Sequence, residues 1–296
     1  MSAVEAVPYE ALGRPISGPE ALTHDWGRFW HLTFNIARTE WKLRFFGSVL
    51  GYFWQLMRPL LLFSVLYAFF TKIGHVGQGP GSQPGQPNHL YGIQMLGSIV
   101  LFMFFAEATG GAVSSVVDKE VLVRKIQFPR MVIPLSIVLG ALFNLGLNMI
   151  VVVIFALASG VHPMLSWLEL PVLIALLAVF ATGLAMLLSS LYVYFRDVAP
   201  IWEVVSQILF YASPVIVPFL SVQHMLSHAL VKAYLLNPLA SLFEQFRHSF
   251  VNHAAPSAVS VLGAGGVLAL LAIVFGVFAL GFVVFNRAAP YVAENL

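Results

Sequence analysis

From Val49 onward the apolar positions come in long unbroken runs, and the polar ones gather in the short breaks between them. The runs lie at about Val49–Phe70, Gly92–Val117, Met131–Ser159, Leu168–Phe195, Pro200–Pro218 and Ala258–Phe285. Most reach the roughly 20 residues that a helix needs to cross a bilayer. Lipid cannot satisfy open backbone groups, and the runs are far longer than barrel strands, so the pattern predicts helices. Pro214 interrupts the fifth run, and Gly74–Leu90, with five glycines, three prolines and no charge, reads as a flexible loop. Residues 219–252 are mixed and broken at Asn237-Pro238. Each half is too short and polar to cross, which predicts two short helices dipping into the outer leaflet.

Upstream the pattern changes. Residues 1–22 are polar, with Pro8, Pro15, Gly18 and Pro19, and read as an irregular cytosolic arm. Over residues 24–46 the positions Arg28, His31, Asn35, Arg38 and Lys42 step by three and four and make one polar stripe. Trp26, Phe29, Trp30, Phe34, Ala37, Trp41 and Phe45 cover much of the remainder. A narrow basic stripe beside a wide aromatic face predicts an amphipathic helix in the headgroup region, over residues 23–48. The six-helix part then spans residues 49–290, and residues 291–296 form a cytosolic tail.

Composition narrows the class. Of the 296 residues 59% are hydrophobic and 9% charged, with a mean hydropathy of +0.86; a soluble chain is nearer half apolar and a quarter charged. The chain has no cysteine, which excludes disulfides, thiolate nucleophiles and cysteine–zinc sites. Residues 1–48 hold no basic-then-apolar leader with a small-residue cleavage site, so no cleaved signal peptide is expected. No G-x-x-x-x-G-K-[ST] phosphate loop occurs, so ATP hydrolysis by this chain alone is not expected.

Sidedness follows from lysine and arginine. With six spans both termini share one side, and that side holds Arg14, Arg28, Arg38, Lys42, Arg44, Arg58, Lys119, Arg124, Lys125, Arg130, Arg196 and Arg287. Only Lys72, Lys232 and Arg247 fall on the other. The positive-inside rule makes the termini cytoplasmic. Asp118–Arg130 then lies in the cytosol, with six of its thirteen residues charged. Val121, Leu122 and Ile126 give it an apolar edge, Lys119, Glu120, Arg124 and Lys125 stay solvated, and Phe128-Pro129 makes a stiff exit. A docking element and a topology-setting loop both account for its charges; the apolar edge and the Phe-Pro stop favour docking.

The chain resembles the permease subunits of polysaccharide-exporting ABC transporters of the ABC-2 type, over roughly residues 25–290. The resemblance rests on Arg38-Thr39-Glu40-Trp41-Lys42-Leu43-Arg44, Gly51-Tyr52-Phe53-Trp54 and Arg58-Pro59-Leu60. It continues with Val123-Arg124-Lys125-Ile126-Gln127-Phe128-Pro129-Arg130, Tyr194-Phe195-Arg196-Asp197 and Ser213-Pro214-Val215. It implies an all-α polytopic membrane protein: six transmembrane helices, an N-terminal amphipathic interface helix, a cytoplasmic coupling helix and an external re-entrant helical pair. It implies that Asp118–Arg130, through Lys119, Glu120, Val121, Leu122, Arg124, Lys125, Phe128, Pro129 and Arg130, docks into a separate ATPase subunit. It further implies a homodimer with two such subunits carrying ATP and Mg, no cofactor in this chain, and no nucleic-acid partner. The expected cargo is a lipid-linked polysaccharide, O-antigen-like or a cell-wall galactan precursor, exported across the bacterial inner membrane. The external gate would comprise His224, His228, Asn237, Pro238, Glu244 and Arg247.

Inside the membrane, Glu107 should face protein or a water-filled cavity, with no basic partner evident in the sequence. Asn144 and Asn148, one turn apart, suggest interhelical hydrogen bonds. Gly47 and Gly51 make a weak G-x-x-x-G. Tyr52, Trp54, Phe63, Tyr67 and Phe70 are candidates, with Glu107, for an aromatic sugar canal; membrane-belt positions explain each ring equally well. His224 and His228 are spaced i, i+4, but no third ligand is in an obvious place, so no metal site is expected. A lipid-linked glycan flippase, ion-coupled or passive, and a polytopic glycosyltransferase are the competing readings. The first needs paired intramembrane charges or half-repeats, the second clustered acids.

Overall fold

The computed structural model describes residues 26–45, 51–72, 88–121, 128–217, 228–252 and 256–289. They form helices and turns: α1 (Trp26–Phe45), α2 (Gly51–Lys72), α3 (Asn88–Val113), α4 (Ser115–Asp118), α5 (Val132–Ala158), α6 (Leu170–Tyr194), α7 (Val198–Ala212), α8 (His228–Leu235), α9 (Pro238–Phe246) and α10 (Ala258–Ala288). A 3-10 turn at Leu165–Glu169 leads into α6, and a π-helical stretch at Arg247–Val251 prolongs α9.

α3 is apolar around most of its surface, as a helix must be when neighbours surround it. Residues 91–102 are all buried, and α2, α5, α6 and α7 pack around it. α10 runs along α6, where Gly183 and Gly281 let the two backbones touch. A Cβ on Gly281 would lie 2.0 Å from the Gly183 carbonyl oxygen, and one on Gly183 would lie 2.6 Å from Phe278 Cα. Close approach through small residues is a main source of helix attraction in lipid, where neighbouring acyl chains are as apolar as leucine. Of the weak Gly47/Gly51 motif, Gly47 lies outside the described residues. The tight crossing uses two glycines from distant helices, which no local spacing displays.

Five helices among the described residues are long and apolar enough to cross a bilayer: Phe53–Lys72, Leu90–Val113, Val132–Ala158, Leu165–Tyr194 and Ala258–Ala288. The stretch expected to be a fifth of six spans, Pro200–Pro218, is shorter than anticipated. α7 has 15 residues, about 22 Å of helix, against a hydrocarbon core of about 30 Å. Its helix stops at Ala212, ahead of Pro214, because proline disfavours helical backbone at the residue before it; Ser213 is extended. The turn at Ser213–Val217 is fixed from two directions. Tyr91 Oη donates to Ile216 O at 2.8 Å, and Arg247 Nη2 donates to Pro214 O at 2.8 Å.

α8 and α9 are divided at Asn237-Pro238. Asn237 accepts from the Leu239 N–H at 3.1 Å, a side-chain N-cap, and Pro238 takes the first helical position, where its missing N–H costs nothing. α9 is buried along its length. Phe246 stacks on Phe250 with centroids 5.2 Å apart, and Gly97 of α3 leaves room for the Phe246 ring. Trp167 Nε1 and Ser166 Oγ donate to the carbonyls of Phe250 and Ser249.

α1 packs against α5. Its buried line is Phe29, Thr33 and Ala37, and its outward aromatics are Trp26, Trp30 and Phe34. Phe29 clusters with Val116, Phe128, Met131 and Phe285 at the basic end of the bundle. Further along, Phe34 and Trp41 both meet Phe143 edge-on, at 5.7 and 6.0 Å. Phe143 lies 11 residues into α5, about 17 Å along it. The far end of α1 therefore reaches well into the bundle.

Candidate functional site

α7 organises one opening. Trp202, Glu203, Ser206, Gln207 and Phe210 step along one face of the helix, and they border a groove of about 730 Å³ whose other walls are α2 and α3. Leu62, Phe102 and Met103 line it opposite α7, and Tyr211 also borders it. Trp202 is fixed by an Nε1–H bond to Thr109 Oγ1 at 3.2 Å, and its ring lies 6.2 Å from that of Phe105. Phe102 meets Phe210 edge-on at 5.0 Å, and Phe210 meets Tyr211 at 5.3 Å. Ring faces beside a carboxylate, an amide and a hydroxyl suit a polyhydroxylated ligand: apolar sugar faces stack on rings, and hydroxyls find donors and acceptors.

Another opening is a cavity of about 370 Å³ between the end of α1, the start of α2, α3 and α5. Glu107 is its centre. Contrary to the expectation that it has no basic partner, its Oε1 accepts from Arg44 Nη1 and from Asn144 Nδ2, the latter at 2.7 Å. Trp41 Nε1 donates to Asn144 Oδ1 at 2.7 Å, which fixes the amide's orientation. Arg44 precedes the first span by sequence, so its arrival at Glu107 depends on α1 climbing along α5. Asn148 spends its amide hydrogens within α5, donating to Asn144 O at 3.0 Å; its Oδ1 is buried without a partner. Asn144 therefore makes the interhelical bonds expected of the pair, and Asn148 does not.

The sequence-derived canal rings have mixed placements. Phe63 is buried, stacked on Tyr67 at 5.3 Å, and Tyr67 stacks on Tyr91 at 6.1 Å. These rings, with Phe70 half-buried beside them, pack α2 onto the core. Trp54 is half-exposed, and the Tyr52 side chain lies outside the described residues. The groove draws its rings instead from α3 and α7. The signal that could have located them is the stripe of Trp202, Glu203, Ser206, Gln207 and Phe210 at helical spacing in an otherwise apolar segment.

Of the coupling stretch, Leu122, Arg124 and Lys125 lie outside the described residues. Val121 is 66% exposed, while Phe128 and Pro129 are buried ahead of α5. Lys119 departs from the expected solvated role: it is half-buried and ion-paired with Glu40 of α1. Arg130 ends the coupling stretch. It is 2% exposed, with Nε and Nη1 unbonded, and burial pulls its guanidinium below its ordinary value. Among the external candidates, His224 and the His228 side chain lie outside the described residues. Glu244 and Arg247 form an ion pair of 2.8 Å in which both side chains are almost fully buried. Burial pushes the Glu244 carboxyl up, against the pull of the Arg247 charge. Among the described residues no group of three or more His, Cys, Asp or Glu side chains could hold a metal.

Comparison with known proteins gives the family. The family model described as "ABC-2 type transporter" matches residues 31–251. The O-antigen export system permease protein RfbA of Myxococcus xanthus is 27% identical over 240 residues, covering 81% of this chain and 88% of that protein. A protein of the same name from Klebsiella pneumoniae is 27% identical over 232 residues, covering 78% and 84%. A bundle of membrane-length helices, a charged stretch between the second and third of them and a family match over most of the chain lead to one assignment: this protein belongs to the ABC-2 type transporter family of membrane subunits.

Proposed function

We propose that the chain is the membrane half of an ATP-driven exporter of a lipid-linked polysaccharide, O-antigen-like or a cell-wall galactan precursor. The observation that carries this is the α7 groove, with Trp202, Phe210 and Tyr211 set beside Glu203, Ser206 and Gln207. The names of the relatives, O-antigen export permeases, support the same cargo class. The groove is open on one flank, and α7 carries Ile201, Val204 and Ile208 exposed beside it. A second copy covering those residues would complete a conduit, which makes a homodimer the working unit. Two separate ATP-binding subunits, holding ATP and Mg, would dock at Asp118–Arg130 on the cytoplasmic side of the inner membrane, where both termini also lie. Closure of those subunits would push this stretch, and the clamped turn at Ser213–Val217 would pass the displacement to α9 at the external face. The chain itself carries out no chemistry in this scheme.

The test is co-purification with the ATPase subunit, with export measured in cells. Charge reversal at Arg124 and Lys125 should reduce both capture of the ATPase and appearance of the glycan at the surface. A chain that captures no ATPase, and whose reversed variant still exports, refutes the reading. An ion-coupled flippase is favoured by one observation, the charge pairs Arg44–Glu107 and Glu244–Arg247 at depth. That reading requires glycan translocation to persist in vesicles lacking nucleotide.

A further inference from the structure

Several buried hydroxyls in the helices bond back to their own backbone: Thr109 to Phe105 O, Ser136 to Ile133 O and Ser189 to Met186 O. Ser98 of α3 does not. It is fully buried, and its Oγ has no hydrogen-bond partner. Gln94 Nε2, Ser213 Oγ and Arg247 Nε are in the same condition, on side chains at most 4% exposed. The geometry of α3 brings these groups to one place. At about 100° per residue, Gln94 lies about 60° from Gly97 and about 60° from Tyr91, and Ser98 lies about 20° from Tyr91 and about 40° from Phe102. Gly97 faces the Phe246 ring of α9, Tyr91 bonds to Ile216 O, and Phe102 meets Phe210 of α7. Gln94 and Ser98 therefore point into the wedge between α9 and the turn that follows α7. Ser213 opens that turn, and Arg247 crosses the wedge to reach Pro214 O at 2.8 Å.

The other polar groups of the wedge are already engaged. Arg247 gives Nη1 to Glu244 and Nη2 to Pro214 O, and Tyr91 Oη donates to Ile216 O. Buried hydrogen-bonding groups left unmade are costly, and native interiors bring in water where protein atoms do not reach. Two of the four groups are N–H donors and two are hydroxyls, which donate or accept. Their common partner must accept at least twice, and water does so while donating to the hydroxyls. A halide would accept as well, but Glu244 already balances the charge of Arg247, so an anion would stand unopposed. We propose that the wedge between α3, α9 and the turn at Ser213–Val217 binds one or two ordered water molecules, held by Gln94, Ser98, Ser213 and Arg247. A buried water makes about three hydrogen bonds, so four groups hold one and can share two. The turn is then backed by a hydrated layer in addition to its two side-chain clamps. This site is independent of what the protein transports.

The experiment uses the full chain in nanodiscs. Radiolysis converts bound water into hydroxyl radicals that modify adjoining side chains, and mass spectrometry reads the products. Phe246 borders the wedge, whereas Phe105 lies two turns further along α3 from Ser98; both rings are fully buried. Phe246 should be modified several-fold faster than Phe105. In a second measurement, Ser98→Ala takes one partner from the water and should lower the melting temperature by about 2–4 °C. A hydroxyl without a ligand would leave it unchanged or raised when replaced by a methyl group. Gln94→Met keeps the side-chain length and should act in the same direction as Ser98→Ala. The double variant should lose less than the two single losses together, because both substitutions act on shared water. Exchange of chloride for gluconate should leave every melting temperature in place. Equal modification of the two rings overturns the proposal, as does strict additivity of the two substitutions. A melting temperature that follows the halide concentration also overturns it, since the ligand is then an anion. Should Ser98→Ala fail to fold, the radiolysis of the unmodified chain still decides the matter.

Discussion

A lone carboxylate at the depth of Glu107 would cost roughly 2.5–3.5 kcal/mol to insert, and the structure removes most of that burden with two donors on a single oxygen. Its charge was legible in the sequence; its partner was not. Arg44 sits outside the first apolar run and reads there as a cytoplasmic topology signal, and only the path of α1 brings it inward. Glu107→Leu should therefore destabilise the chain more than Arg44→Leu. Arg44 is half-exposed and can turn to water, whereas Asn144 would lose its acceptor. Thermal unfolding in detergent reads the difference. At Glu244 and Arg247 both partners are buried, and removing either leaves an uncompensated charge, so Glu244→Leu should cost about 3–5 kcal/mol. The double variant Glu244→Leu with Arg247→Met should recover much of that loss, since well-packed apolar replacements of buried pairs are often neutral.

At the scale of elements, periodicity located every long helix to within a few residues, because membrane runs are bounded sharply by charge and proline. It failed at two short helices. α7 is too short to be a complete span, and its polar stripe is diluted by the apolar residues that face outward; α9 is amphipathic yet wholly buried because α3, α6 and α10 surround it. Trp202 ties α7 to α3 through Thr109. Trp202→Phe keeps the ring but loses that bond, and should lower stability by about 1 kcal/mol while leaving ATPase capture intact. Trp202→Ala should also impair export, as surface glycan measured in complemented cells. At the α6–α10 crossing, Gly281→Ala sets a methyl group against the Gly183 carbonyl. The backbones must separate to admit it, at a cost of about 1–3 kcal/mol, visible as a lower melting temperature in detergent.

For the whole molecule, orientation is the first property to measure, and the chain invites the measurement because it has no cysteine to remove. Leu165, 88% exposed between α5 and α6, and Val121, 66% exposed after α4, lie at opposite ends of the bundle. With the basic end inside, Leu165→Cys should react with a membrane-impermeant maleimide on intact cells, and Val121→Cys only after permeabilisation. The reverse pattern would invert the topology inferred from lysine and arginine. The Gly183–Gly281 contact carries a consequence for how such a bundle can diverge. Where two large side chains meet, drift at one position can be answered by a change at the other, and the pair wanders together through sequence space. Here both positions already hold the smallest residue, so neither can shrink to accommodate the other's growth. That crossing is an evolutionary dead centre: relatives as distant as 27% identity should retain glycine at both places. A position-by-position comparison across the family would show it.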